Sequence, residues 1–365
     1  MSELQKIPDQ PLRKGYTTGA CATACVKSAL LGLVTQKKQD KVTITLPVGE
    51  EATFFLKKLQ IVEGKSSSTT IKDAGDDPDV THLAEITATV ALTNTKKVEF
   101  KRGQGVGLVT LPGLDIGIGE PAINPVPRKM MSIVVHKILA DYNLEHHGVM
   151  ITISVKDGEK LAKRTLNSRL GILHGISILG TSGIVTPFSA ASYIASIRQG
   201  IDVAIANNHS ELLINSGARS EKIVRGLFPQ VKDTACIHYG NWIQETFEKI
   251  AESPEIHSVN MGIMLGKATK LAEGNLNTHS GKSTWNKSFI AQIAFEAGYS
   301  KKICHQILSL NMAGRLREIF IFTQRERFYQ ALLKNCYSNC QRIAPKIELN
   351  LYLVSNEQTH IKYNK

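Results

Sequence analysis

From Lys41 to Lys101 hydrophobic and polar residues alternate, as in Val42-Thr43-Ile44-Thr45-Leu46 and Glu85-Ile86-Thr87-Ala88-Thr89-Val90. A period of two with few helix signals predicts antiparallel strands with one buried face and one wet face. Ahead of them, Thr17 or Thr18 can cap a helix whose first turns carry only Gly, Ala, Cys and Thr. Such a small-residue face suits close approach by a ligand or another backbone, and suits core packing equally. A second apolar-periodic helix follows Arg128 and runs through Leu139.

The second half changes rhythm. Short apolar runs at Ile172 to Leu179, Leu212 to Ile214, Ala235 to His238 and Val259 to Leu265 alternate with helical segments near Ser189 to Ala206, Asn241 to Ala251 and Lys267 to Glu273. That alternation predicts a parallel sheet covered by helices, with ligands outside the carboxyl ends of the strands. After Trp285 the chain reads as helical and basic from Ser300 to Arg342, with a final alternating strand at Ile347 to Val354. The expected fold is a two-domain α+β / α/β protein. A strand-rich α+β domain would cover residues 1–165 and an α/β domain residues 166–285, with a helical C-terminal region, 286–365, packing on the core.

The most structured chemical signal is Asn167 to Pro187, N-S-R-L-G-I-L-H-G-I-S-I-L-G-T-S-G-I-V-T-P. Its apolar run suits a buried strand, Gly180, Thr181, Ser182 and Gly183 form a small-residue loop, and Ser189 can cap the helix beyond. Free backbone N–H groups and a helix dipole would converge on that loop, making it a candidate cofactor floor. Gly175 to Ser182 fits phosphate-loop spacing except that Thr181 occupies the lysine position, so nucleotide hydrolysis is not expected. A tight turn that binds nothing has the same sequence.

Asp73, Asp76, Asp77 and Asp79 crowd into one short turn, K-D-A-G-D-D-P-D-V-T. Mutual repulsion would raise the pKa of one or more of them, making Asp76 and Asp77 candidate proton acceptors; a solvated turn is the plainer alternative. K-R-G-Q-G-V-G from Lys101 opens a strand rather than a helix, which argues against a dinucleotide fingerprint. The loop Gly119 to Arg128 holds three prolines and ends on an arginine able to clamp a carboxylate, or simply to sit on the surface. His279, flanked by Asn277, Thr278 and Ser280, is a third candidate proton acceptor, or a structural hydrogen-bonder. Gly281-Lys282-Ser283 lacks the upstream glycine of a phosphate loop, because Leu276 stands there.

Composition is that of an ordinary globular protein, 42% hydrophobic and 21% charged. By inspection no apolar run reaches membrane-spanning length, and Met1 to Pro8 has no signal-peptide core, so a cytoplasmic location and no membrane contact are expected. The six cysteines include Cys21 with Cys25 and Cys336 with Cys340, but no C-x-x-C pair, and no metal is expected. A formal charge of +12 calls for acidic partners. Its spread as scattered pairs, without interleaved aromatics, argues against nucleic acid and for steering of a polycarboxylate.

Several long stretches then carry a family resemblance: R-K-G-Y-T-T-G-A-C-A-T-A, I-K-D-A-G-D-D-P-D-V-T, G-Q-G-V-G-L-V-T-L-P-G-L, G-E-P-A-I-N-P-V-P-R, the Asn167 to Pro187 stretch, and G-K-A-T-K-L-A-E-G-N-L-N-T-H-S. Over about Leu12 to Ser283 the chain resembles the cobalt-precorrin-5B C1-methyltransferases of anaerobic cobalamin biosynthesis. The resemblance implies methyl transfer from S-adenosylmethionine to C1 of a cobalt-bearing tetrapyrrole, giving cobalt-precorrin-6A, with a homo-oligomer possible. On that chemistry Gly180, Thr181, Ser182 and Gly183 would hold the methyl donor, and Thr17, Thr18, Arg128 and Lys267 would meet the substrate. Asp76, Asp77 or His279 would accept a proton. The chain departs from the family pattern at His174, where Gly is usual, at Thr186, where Arg is usual, and at Met264, where His is usual. Those departures leave a non-catalytic corrinoid-binding or scaffold homologue as the alternative.

Overall fold

A computed structural model of the chain describes residues 11–279, 281, 284–355 and 359–365. Met1 to Pro8, Ser280, Lys282 and Ser283, which figure in the sequence reading, lie outside the described residues. The chain forms two compact units, Met1–Ala190 and Ala191–Lys365.

In the first unit β1 (Gly15–Tyr16) leads into α1 (Thr18–Thr35), followed by β2 (Lys41–Thr45), β3 (Glu51–Val62), β4 (Lys65–Ile71), β5 (Glu85–Thr93), β6 (Val98–Arg102) and β7 (Leu108–Val109). Then come α2 (Pro125–Asp141), β8 (Gly148–Val155), α3 (Gly158–Ala162), β9 (Ile172–Leu173) and β10 (Ile184–Val185). A six-stranded sheet runs β2-β3-β4-β5-β8-β6, antiparallel except for the parallel β6–β8 pair at one edge. The alternation read from sequence is the pleat itself: in β5, Ile86, Ala88 and Val90 are fully buried while the residues between them are half-exposed.

Helix α1 covers the buried face of the sheet together with α2. Thr17 caps it, its side chain accepting from the Ala20 N–H at 3.2 Å, as the sequence allowed. Residues Thr18 to Val26 are all buried, so the small-residue face serves packing over most of its length. One expectation is corrected here. α1 is long and apolar enough to cross a membrane by length and composition, and interspersed Thr, Ser and Gly hide that from inspection. It is a core helix, with 72% of its span buried inside the protein.

The second unit holds α4 (Ala190–Ala206), β11 (Glu211–Asn215), α5 (Ala218–Arg225), β12 (Cys236–His238), α6 (Ile243–Ala251), β13 (Ser258–Met264) and α7 (Leu265–Ala272). It continues with α8 (Lys287–Glu296), α9 (Lys301–Ser309), α10 (Leu316–Ile319), α11 (Arg327–Ile343), β14 (Glu348–Val354) and β15 (His360–Lys362). The sheet order is β12-β11-β13-β14-β15, parallel but for the last strand. This is the helix-covered parallel sheet that the second-half rhythm predicts. The C-terminal region supplies β14 and β15 to that sheet, so it is built into the unit rather than laid on it.

The division between units falls at Ala190, beyond the border after residue 165 that the rhythm suggests. The reason is the Ile172 to Leu179 run. Only Ile172–Leu173 is strand, and it pairs with β7. The remainder threads past two loops of the first unit. Ile176 donates its N–H to Gly105 O at 3.0 Å and Ile178 to Ala122 O at 2.8 Å, and their carbonyls accept from Gly107 and Asn124. An apolar run can be buried by loops as well as by a sheet, and periodicity does not distinguish them.

Candidate active site

The first unit contains a cavity of about 340 Å³, within the size range of small-ligand pockets. Most of the residues that line it are polar in type, with Thr17, Thr18, Lys72, Asp79, Thr81, Asn167 and Ser177 set among Ile176, Leu179 and Val185, although the surface they present is largely apolar. Lys72, Asp79 and Thr81 come from the chain between β4 and β5, and Asn167 opens a short 3₁₀ turn before β9. Thr17 and Thr18 open α1, whose dipole makes this end electropositive. Leu179 and Gly183 are pinned to the start of α1 by two backbone bonds and a hydroxyl: Gly19 N–H to Leu179 O at 2.9 Å, Thr17 N–H to Gly183 O at 3.0 Å, and Leu179 N–H to Thr18 Oγ1 at 2.9 Å; the Thr18 hydroxyl also donates to Ser177 O at 3.3 Å.

Lys72 is a site residue that the sequence reading misses, although the signal is present. In β4 the buried positions are Ser66, Ser68 and Thr70, and Lys72 continues that phase one residue past the strand end. It is 1% exposed, with Nζ 2.6 Å from Asp79 Oδ2. The other Asp79 oxygen accepts from the backbone N–H and the hydroxyl of Thr81, both at 2.6 Å. Burial pushes the Asp79 carboxyl up, but the Lys72 charge and these hydrogen bonds outweigh it, and the net direction is down.

The acidic turn therefore behaves differently from its sequence. Asp73 forms a paired contact with Arg13 at 2.5 and 2.9 Å, which holds its carboxyl down to about 2. Asp76 accepts from the Arg13 N–H at 2.6 Å, and Asp77 from the Phe188 N–H at 2.9 Å. Crowding is relieved by giving each carboxylate its own donor, so the raised pKa expected from repulsion is replaced at Asp73 and Asp79 by a lowered one. Asp76 and Asp77 sit beside the cavity wall formed by Asp79 and Val80 without lining the cavity.

The Gly180 loop joins two lining residues, Leu179 and Val185. Thr181 is exposed, Ser182 half-buried with Oγ donating to Ile184 O at 3.0 Å, and Gly183 buried. A helix N-terminus that meets this loop is that of α1, far away in sequence. Arg128 lies in the first turn of α2 and points at its own loop. It bonds Ile123 O at 2.7 Å and Pro121 O at 3.2 Å, pairs with Glu120 at 2.7 Å, and lies over the Phe100 ring. A substrate carboxylate would have to compete with Glu120 for Arg128 Nη2.

The second unit brings Lys267 and His279 into one neighbourhood. Lys267 lies at the carboxyl end of β13, as the alternation predicts, and its Nζ bonds Gly240 O and Asn241 Oδ1. Thr278 Oγ1 is 3.4 Å from the same Asn241 oxygen, and the His279 N–H reaches Asn277 Oδ1 at 3.2 Å. Burial, then the neighbouring Lys270 charge, pull the Lys267 ammonium down to about 8. His279 Nδ1 accepts from the Gly281 N–H at 3.1 Å.

Cys21 and Cys25 lie in α1 and Cys336 and Cys340 in α11, all buried. Burial pushes the Cys21 thiol up to about 12 and the other three up as well, so none is a thiolate at neutral pH. Among the described residues no group of three or more His, Cys, Asp or Glu is placed to hold a metal ion.

A strand-rich unit with a lysine-floored cavity, joined in one chain to a parallel α/β unit, defines a two-part α+β protein equipped to hold a small charged ligand. The profile of the CbiD family matches residues 5–187 and that of its C-terminal domain residues 277–364. The chain belongs to the CbiD family. It is 43% identical to a cobalt-precorrin-5B C(1)-methyltransferase of Priestia megaterium over 91% of both chains. It is 45% identical to one of Brucella anthropi over 84% of this chain and 83% of that one. The crystal structure of a cobalamin biosynthesis protein (cbiD) from Archaeoglobus fulgidus aligns at 25% identity with a TM-score of 0.40, over 74% of this chain and 83% of that chain.

Proposed function

We propose that this protein is a C-methyltransferase that places a methyl group on C1 of cobalt-precorrin-5B in cobalamin biosynthesis, with S-adenosylmethionine as the donor. The observation that carries this reading is the 43% identity, across 91% of both chains, to a relative named for that reaction. Both relatives described above are named as methyltransferases, which favours catalysis over a binding-only homologue.

The chemistry of the chain supports it. S-adenosylmethionine supplies an electrophilic methyl group and leaves as a neutral thioether. The protein must then bind, orient and exclude water, and covalent help is not required. A charge of +12 would attract a substrate rimmed with carboxylates. The cavity is too small to take a whole tetrapyrrole macrocycle, so it suits part of the donor or one substrate side chain. The Gly180 to Gly183 loop, between cavity residues Leu179 and Val185, would hold part of the donor, with Thr17 and Thr18 in the cavity lining. Asp76, Asp77 and His279 are candidate proton acceptors, and Arg128 and Lys267 candidate carboxylate contacts.

The test is incubation of the purified chain with cobalt-precorrin-5B and S-adenosylmethionine, followed by mass spectrometry. A product heavier by one methyl group, carrying label from methyl-labelled donor, supports the reading. Tight binding of the tetrapyrrole with no transfer would establish the scaffold alternative instead.

A further inference from the structure

Among the described residues, Lys72 is the only fully buried charged side chain that lines the cavity. An ammonium has three donors, and among the described residues Lys72 gives one, to Asp79. The other two have no acceptor among those residues. Around it the cavity offers further unmatched polar groups. The Ser177 hydroxyl, on a residue 7% exposed, has no partner among the described residues, and the Thr17 hydroxyl accepts from Ala20 N–H without donating to any described group. These are donors, and they lie beside the N-terminus of an 18-residue helix. Donors and positive potential in a confined space select a carboxylate.

Two acceptors stand at the same cavity. Asp79 is 24% exposed, and Asn167 commits its amide N–H₂ to Gly175 O at 3.2 Å while its carbonyl oxygen takes no hydrogen bond from a described residue. A lone anion would be repelled by Asp79. A zwitterion meets both halves of the lining.

We propose that this cavity seats the α-amino-acid end of S-adenosylmethionine, with the carboxylate on Lys72, Ser177 and Thr17 and the ammonium toward Asp79 and Asn167. The assignment rests on the methyltransferase reading above and narrows it to named atoms. The Gly180 to Gly183 loop then lies where the remainder of the donor leaves the cavity.

The experiment is calorimetric titration of the full chain with two ligands. S-adenosylhomocysteine carries the amino-acid end, whereas 5′-methylthioadenosine lacks it. The unaltered chain should bind the first at least tenfold more tightly, since hydrogen bonds to a charged group are worth about that factor or more. Lys72→Met should abolish the preference while leaving 5′-methylthioadenosine affinity unchanged. Ser177→Ala, a milder change that keeps the Lys72–Asp79 pair, should cut the preference about tenfold. It decides the question if Lys72→Met fails to fold. Equal binding of both ligands by the unaltered chain, or a preference untouched by Ser177→Ala, overturns the assignment. Failure to bind either ligand would overturn the methyl-donor reading itself. Binding of a tetrapyrrole polycarboxylate that Lys72→Met abolishes, with S-adenosylhomocysteine binding intact, would give the cavity to a substrate side chain and overturn the proposal alone.

Discussion

Thr17 and Gly180 are in contact across 163 residues of chain: a Cβ placed on Gly180 would stand 2.3 Å from Thr17 Oγ1, the atom that caps α1. Gly180 also has φ +132, a conformation closed to ordinary side chains. One glycine thus serves both the loop and the helix cap, next to cavity residue Leu179.

Gly180→Ala should therefore be costly for two separable reasons. Overpacking against Thr17 and backbone strain together should destabilise the chain by about 3 kcal/mol. Gly119→Ala isolates the strain, because Gly119 has φ +85 and a Cβ placed there would meet nothing within 4 Å. That variant should lose about 1 kcal/mol. Urea denaturation of both would read the difference, and equal losses would mean that the Thr17 contact contributes nothing.

Asp73 predicts an acid limb. Its carboxyl is held below its unfolded value by the Arg13 hydrogen bonds, so its contribution is complete above about pH 4 and disappears as pH falls toward about 2. Asp73 and Arg13 side chains are 48% and 58% exposed, and solvent screening keeps the contribution below about 1 kcal/mol. Asp73→Asn should lower stability by that amount at about pH 6 and by progressively less toward about pH 3. A deficit that does not shrink with acid would exclude the ion pair as its source.

Much of this architecture was legible in the sequence. Period-two alternation marks the antiparallel sheet, and apolar runs alternating with helical segments mark the parallel one, with Lys267 at a strand end. Two features escaped for the same physical reason: local patterns do not carry long-range pairing. The Ile172 to Leu179 run reads as strand, yet its partners are loops around Gly105 and Ala122. The Asp73 to Asp79 turn reads as repelling charge, because its donors Arg13 and Phe188 lie far away in sequence. Lys72 alone could have been found, by extending the buried phase of β4.

Lys267 should titrate as an unusually acidic lysine. Its ammonium is pulled down to about 8 by burial and by Lys270, so between about pH 8 and about 10.4 the unfolded chain holds a proton that the folded chain has released. Stability should rise with pH across that window, and Lys267→Met should flatten the rise. Competitive acylation with trace acetic anhydride should give Lys267 a midpoint near 8, with exposed lysines titrating about two units higher. A midpoint with the bulk lysines would mean that the Gly240 and Asn241 contacts hold the charge fully.

His174 occupies a left-handed backbone position, φ 63, on an exposed loop. A non-glycine residue there costs about 1–2 kcal/mol in local strain. Glycine would relieve that strain but return about 0.4–1 kcal/mol as greater freedom of the unfolded chain. The balance favours His174→Gly by roughly 0.5–1 kcal/mol. His174→Ala removes the imidazole and keeps the strain, so it should not stabilise. Thermal and urea midpoints of the two variants separate backbone from side chain. If alanine stabilises as much as glycine, the imidazole itself is the unfavourable group and the backbone conformation contributes nothing.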